Sequence, residues 1–237
     1  MKILALDSSA VSASAAILDD DKVLGEFFIN TKQTHSQTLM PMVQQVLTQT
    51  KTNLEEIDLF AVSAGPGSFT GVRIGVACVK GMAFAQNKPC IGVSTLEAMA
   101  YPLSMLNGII CAVMDARCQQ VYHALFRVNG SAVERICDDC AVAISDLAES
   151  LQQYSNETIY LVGDGAKLCY ESEAFQPLQL QLVAEHLQYQ RAVGVAQCAT
   201  AHLKQEDCTV TAEQLAPVYL RLPQAERELK KKLEGKT

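Results

Sequence analysis

Residues 57–64, IDLFAVSA, are nearly all apolar, and they run directly into GPGSFTG at 65–71 and then into a helical pattern. The run Ile57–Ala64 reads as a strand of the kind buried on both faces, which is the habit of a sheet sandwiched between helices. Together with the glycine-rich turn into a helix, it sets the fold class as α/β. Composition agrees. With 237 residues, 49% hydrophobic and 19% charged, the chain can fill one large domain or two small lobes without disulfides or a structural metal. The same figures exclude a disordered or fibrous chain.

The remaining pattern divides in two. Lys2–Asp7, Ser12–Leu18 and Lys22–Ile29 read as a meander of three strands joined by tight turns. A helix follows over 34–50, with Thr34 as N-cap and Leu39, Met40, Val43, Val46 and Leu47 at helical spacing. A second helix is expected over Val72–Gln86, a short strand at Cys90–Val93, and a helix capped by Ser94 that runs through Met105. After Asn107–Gly108 the order restarts with Ile109–Asp115, Gln120–Val128 and Ala132–Arg135, then helical stretches near 145–154 and 190–204 around the strand Thr158–Gly163. Two such units predict a duplicated α/β lobe. The expected ranges are 1–107 for the first lobe, with helix 190–204 packing back on it, 108–224 for the second, and a charged tail at 225–237.

Lys plus Arg number 19 against 26 for Asp plus Glu, a net charge of −7. Such a surface repels phosphate backbones on average, so contact with RNA needs a local basic patch or a partner. No stretch of about 18 residues is uninterruptedly apolar, and the first residues, MKILALDSS, lack a signal-peptide core. The expectation is a protein of the cytoplasm, without membrane attachment, whose nine cysteines are thiols.

Several motifs carry candidate chemistry. Gly65, Gly67, Ser68, Thr70 and Gly71 lie in a loop whose backbone amides, with a helix dipole behind them, suit an anion; the same glycines equally suit a tight turn with close packing. A dinucleotide fingerprint is disfavoured, since the spacing is one residue too long and the first acid after Gly65 is Glu97. Asp7, Ser8 and Ser9 at the end of the first strand offer oxygen ligands for Mg²⁺ and phosphate, or a turn acceptor. P-loop and nucleophile-elbow motifs are absent. Cys137 and Cys140 form a lone C-x-x-C without a second pair. Cys198 and His202 can share a helix face, but two ligands do not make a metal site. Asp115 and Arg117 are read either as a strand-end ion pair or as residues of a cleft between lobes.

MKILALDSS, GPGSFTGVRIG at 65–75, DAR…VY at 115–122 and PVYLR at 217–221 occur in order over nearly the whole chain, and together they resemble the TsaB (YeaZ) family. The resemblance implies two RNase H-like lobes of the actin and sugar-kinase (ASKHA) superfold. It further implies a role as the non-catalytic partner of TsaD in making threonylcarbamoyladenosine beside the anticodon of tRNAs that read A-starting codons, with TsaE also a partner. ATP or ADP would act in that complex rather than bind tightly here, tRNA would be met only through it, and the chain alone would form a homodimer. TsaD-type enzymes carry a metal-binding H-x-x-x-H in the helix after the short strand; here Ser94–Tyr101 holds no histidine, so no such metal is expected. The helices 34–50 and 72–86 are expected to meet the partner through Leu39, Val43, Arg73, Val76, Val79, Lys80 and Ala83. The competing reading is a nucleotide-dependent phosphotransferase or ATPase of the same fold, using Asp7, Ser8, Ser9 and the 65–71 loop around Mg-ATP.

Overall fold

The structure, a computed structural model, describes residues 1–205 and 208–221. Strands β1 (Lys2–Asp7), β2 (Ala13–Asp19) and β3 (Lys22–Ile29) pair antiparallel, while β4 (Leu59–Gly65) joins β1 in parallel and β5 (Cys90–Ser94) joins β4 in parallel. The resulting order is β3-β2-β1-β4-β5. The second sheet repeats it. Strands β6 (Asn107–Asp115), β7 (Gln120–Asn129) and β8 (Val133–Arg135) form the meander, and β10 (Ile159–Val162) and β11 (Leu180–Leu182) extend it in parallel as β8-β7-β6-β10-β11. A further short strand, β9 (Cys140–Ala143), pairs with β7.

Period-two alternation decides which core each strand residue enters. Leu4 and Leu6 of β1 face helices α1 (His35–Thr50) and α2 (Phe69–Gln86), whereas Ile3 and Ala5 face α6 (Ala192–Gln205). In the second sheet Ile109, Cys111 and Val113 face α4 (Ile144–Leu151) and α5 (Ala166–Tyr170). Ile110, Ala112 and Met114 face α3 (Thr95–Ala100), so α3 lies between the two sheets.

After Leu187 the chain returns to the first lobe. Helix α6 packs on the first sheet, with Arg191 binding Glu26 of β3. Val210 bridges to Cys90, and Ala212 and Leu215 enter the first core. The returning segment, α6 and the residues to Leu215, thus lies on the first sheet. The expected charged tail, 225–237, lies outside the described residues.

Candidate functional site: the cleft between the lobes

The two lobes enclose a cleft of about 600 Å³. Ser9 and Val11, the loop residues Pro66–Thr70, Asp115 and Arg117 at the end of β6, Asp164 after β10, and Val218–Arg221 line it. Its walls are held by the returning segment. Val218 N–H donates to Ala64 O at 2.7 Å, and Arg221 Nη1 donates across the gap to Ala116 O of the second lobe at 2.8 Å.

The first-strand motif and the glycine loop are built into each other. Asp7 is buried, and its carboxylate accepts from Ser9 N–H at 2.9 Å, from Ser9 Oγ at 2.7 Å and, through its other oxygen, from Ser63 Oγ. Burial nevertheless pushes its carboxyl above the ordinary range, outweighing those three donors. Ser8, also buried, donates to Gly71 O at 2.9 Å. A Cβ on Gly67 would lie 2.4 Å from Ser9 O, and one on Gly71 would lie 2.1 Å from Ser8 O. Gly65 has φ +126°, and its face is covered by Val218 O.

These glycines thus admit the chain's own backbone. Ser68 N–H donates to Ser9 O at 2.6 Å, and the Ser68 side chain caps α2 by accepting from Gly71 N–H. Of the expected nucleotide-binding residues, Ser9, Gly67, Ser68 and Thr70 line the cleft; Asp7, Ser8 and Gly65 lie behind its wall. The 65–71 loop is closed on the end of β1 through Ser68 N–H, while Gly67, Ser68 and Thr70 still face the cleft.

The opposite wall carries the charge. Asp115 and Arg117 both face the cleft, but Asp115 Oδ1 accepts from the Arg117 backbone N–H at 2.7 Å, and no ion pair joins the two side chains. Arg117, Cys118 and Gln119 all take positive φ, of 62°, 56° and 57°. Non-glycine residues enter this region only when their surroundings hold them there. Asp164 accepts from Gln190 Nε2 at 3.1 Å, and its carboxyl is pushed up to about 6, first by burial and further by the nearby Asp115 charge. Asp164 has no distinctive motif; it was legible only as a residue following a buried strand.

The Asp164 shift has a definite sign. The fold favours the neutral acid, so its stabilisation is complete below about pH 4 and is lost as pH rises through about 6. Asp164→Asn should therefore be more stable than the parent above pH 6, by about 2 kcal/mol after allowing for solvent at the cleft. The gain should vanish towards pH 4. Urea unfolding at several pH values checks this.

The comparisons with known proteins follow the same architecture. A family model described as TsaD: tRNA N6-adenosine threonylcarbamoyltransferase matches residues 22–229. The tRNA threonylcarbamoyladenosine biosynthesis protein TsaB of Bacillus subtilis is 31% identical, covering 95% of this chain and 96% of its own length. That of Escherichia coli is 32% identical, covering 93% and 95%. The chain belongs to the TsaB family. The structure of YeaZ from Pseudomonas aeruginosa superimposes with a TM-score of 0.77 at 26% identity, covering 92% of this chain and 99% of that one. The two-lobed ASKHA fold expected of a TsaB-family chain is thereby shown.

The helix residues expected to face a partner need correction. Leu39, Val43, Val76, Val79 and Ala83 are all buried in the chain's own first core, because they are the positions that point at its sheet. Arg73 and Lys80 are committed to the returning segment. The Arg73 guanidinium stacks 3.8 Å from the Phe69 ring centre, and its Nε donates to Tyr219 Oη at 2.6 Å. Lys80 Nζ donates to Glu213 O at 3.0 Å and Leu215 O at 2.9 Å. What α2 leaves exposed is Thr70, Arg73, Ala77, Gly81, Phe84 and Ala85, with Met40 and Pro41 exposed on the adjacent α1. The periodicity was readable in the sequence; it marked the more apolar face, and that face is the inward one.

The C-x-x-C pair shows no reactive thiolate. Cys140 Sγ lies 3.0 Å from His123 Nε2, Cys137 Sγ accepts from Leu125 N–H, and burial pushes both thiols up. All nine cysteines are free. Among the described residues no helix is long and apolar enough to cross a membrane.

Proposed function

We propose that this chain serves threonylcarbamoyladenosine biosynthesis as a non-catalytic partner of a TsaD-type transferase, docking through the outer faces of α1 and α2. One observation carries the docking face. Lys80 is drawn sideways onto the returning segment and Arg73 is tied to Phe69 and Tyr219 at the head of the exposed stripe, so that beyond Arg73 the stripe of Ala77, Gly81, Phe84 and Ala85 carries no charge. Phe84 is 70% exposed at its end. Small residues let a second helix approach closely, and an uncovered aromatic is the usual anchor of such a contact. The family relationship supports a TsaD-type subunit as that partner. TsaE joins the same complex, ATP or ADP acts there rather than tightly on this chain, and tRNA is met through the complex in the cytoplasm. When the transferase is absent, the same stripe pairs two copies of the chain, since one self-complementary face suffices for a two-fold dimer.

The test uses Ala77→Glu and Phe84→Glu, whose side chains sit outside the core. Each should weaken association with the TsaD-type subunit at least tenfold, about 1.4 kcal/mol, and shift the free chain towards monomer on a sizing column, with thermal unfolding unchanged. Undiminished association of both variants would overturn the docking face. Loss of association with no loss of tRNA modification in a reconstituted system would overturn the partner role.

A further inference from the structure

Glu97 of α3 and Cys198 and His202 of α6, 101 and more residues apart in sequence, bring a carboxylate, a thiol and an imidazole together. Their ligand atoms all lie within 4.8 Å of one another, and they are the group of three metal-type donors found among the described residues. His202 Nε2 lies 2.8 Å from Glu97 Oε1 and 3.8 Å from Cys198 Sγ. The Cys198 thiol is fully buried, whereas His202 is only partly covered, which gives an ion a route in.

The surroundings are those of an oriented ligand set. Glu97 is aimed by two groups that leave Oε1 to the site: Arg135 Nη2 holds Oε2 at 2.7 Å, and the Glu97 backbone N–H donates to Ser94 Oγ at 3.1 Å. Arg135 is held in turn by Asp139 Oδ1 at 2.7 Å, and Ser94 Oγ donates to Asp139 Oδ2 at 2.6 Å. Outer partners of this kind fix the donor direction that a metal needs.

We propose that Glu97, Cys198 and His202 form a binding site for Zn²⁺. A sulfur, an imidazole nitrogen and one carboxylate oxygen suit a borderline-soft ion and are poor company for Mg²⁺ or Ca²⁺. A tetrahedral Zn²⁺ with ordinary bond lengths needs the sulfur and nitrogen about 3.6 Å apart, close to the separation present. The carboxylate oxygen has to retreat by roughly half an ångström from His202, which a rotation of the Glu97 side chain supplies. On binding, the Cys198 S–H bond breaks, its proton passes to solvent, and a sulfur–metal bond forms without change of oxidation state. The ion replaces the Glu97–His202 hydrogen bond, and water takes the fourth position. With Cys198 as thiolate, the two positive charges of the ion and that of Arg135 are balanced by Glu97, Asp139 and the sulfur. Because Arg135 and Asp139 come from the second lobe, the ion would brace the junction between the lobes. The site is independent of the docking face on α1 and α2.

Co²⁺ is the probe. The chelator-stripped full chain should take up one equivalent, giving a near-ultraviolet thiolate-to-cobalt band and visible bands of tetrahedral intensity that Zn²⁺ erases. Cys198→Ser should abolish the near-ultraviolet band. His202→Gln, at the partly exposed rim, should weaken binding at least about 10-fold, since losing a direct ligand costs no less than disturbing one of the outer partners that orient it. Cys140→Ser should leave the spectrum unchanged. The site is overturned if no thiolate band develops at one equivalent, if the band survives Cys198→Ser, or if it disappears in Cys140→Ser. Should Cys198→Ser fail to fold, unchanged affinity in His202→Gln overturns it as well.

Discussion

Gly71→Ala is expected to lower the stability of the chain by about 3 kcal/mol, although alanine is the better helix former. Gly71 sits in the first turn of α2, where propensity alone would favour the methyl group by about 1 kcal/mol. The added Cβ would lie 2.1 Å from the carbonyl oxygen of Ser8, which is backbone at the end of a buried strand and cannot swing aside. The start of α2 must then lift off β1, breaking the Ser8 Oγ to Gly71 O bond and shifting the cleft wall with it. Gly81, in the same helix, has nothing within 4 Å of its would-be Cβ. Gly81→Ala should therefore stabilise the chain by up to about 1 kcal/mol. Urea midpoints of the two variants should move in opposite directions. Equal shifts would mean that α2 is not seated on Ser8 as described.

This contrast also marks where sequence reasoning stops. Strands β1 and β3 begin and end at the residues their apolar alternation predicts, Lys2–Asp7 and Lys22–Ile29. The repeat of strands followed by alternating strand and helix was legible for the same reason, since apolar alternation is a local property; the strand order within each sheet was not. Helix α2 was expected from Val72 and begins at Phe69, because three glycines in the loop suggested irregular chain. The third is inside the helix for a reason visible only in three dimensions, the proximity of Ser8. The helix expected to run to Met105 ends at Ala100, where Tyr101–Leu103 tightens around Pro102. Strands β9 and β11 and helix α5 are short, and their patterns are too brief to signal. In the cleft, Asp115 and Arg117 were readable either as a strand-end ion pair or as cleft residues, and it is the cleft that they line; Arg221 was visible only as the end of PVYLR, and Asp164 reaches the cleft through tertiary packing. Duplication explains part of this. Asp7 ends β1 and Asp115 ends β6, the matching strands of the two sheets, yet one is buried among hydroxyls and the other opens to the cleft.

Asp7→Ala should cost about 3–4 kcal/mol, since it strips the acceptor from Ser9 N–H, Ser9 Oγ and Ser63 Oγ in a site closed to water. Each stranded buried donor costs about 1–3 kcal/mol, and the three share one pocket, so the sum is less than additive. Asp7→Asn separates the hydrogen bonds from the charge. Its oxygen still accepts from Ser9, and its amide can donate to Ser63 Oγ once that hydroxyl turns. Because burial pushes the Asp7 carboxyl up, the fold favours the neutral acid, and its contribution declines as pH rises through the raised value. The amide escapes that penalty, so Asp7→Asn should gain on the parent as pH rises through the raised value. Unfolding of the three proteins across pH measures both effects. The same pair decides between a scaffold and a nucleotide-dependent phosphotransferase: an Mg²⁺ site at Asp7 requires the charge, and Asp7→Asn would then abolish function as fully as Asp7→Ala. A hydrogen-bonding hub predicts that Asp7→Asn supports tRNA modification in the reconstituted complex while Asp7→Ala fails with its fold.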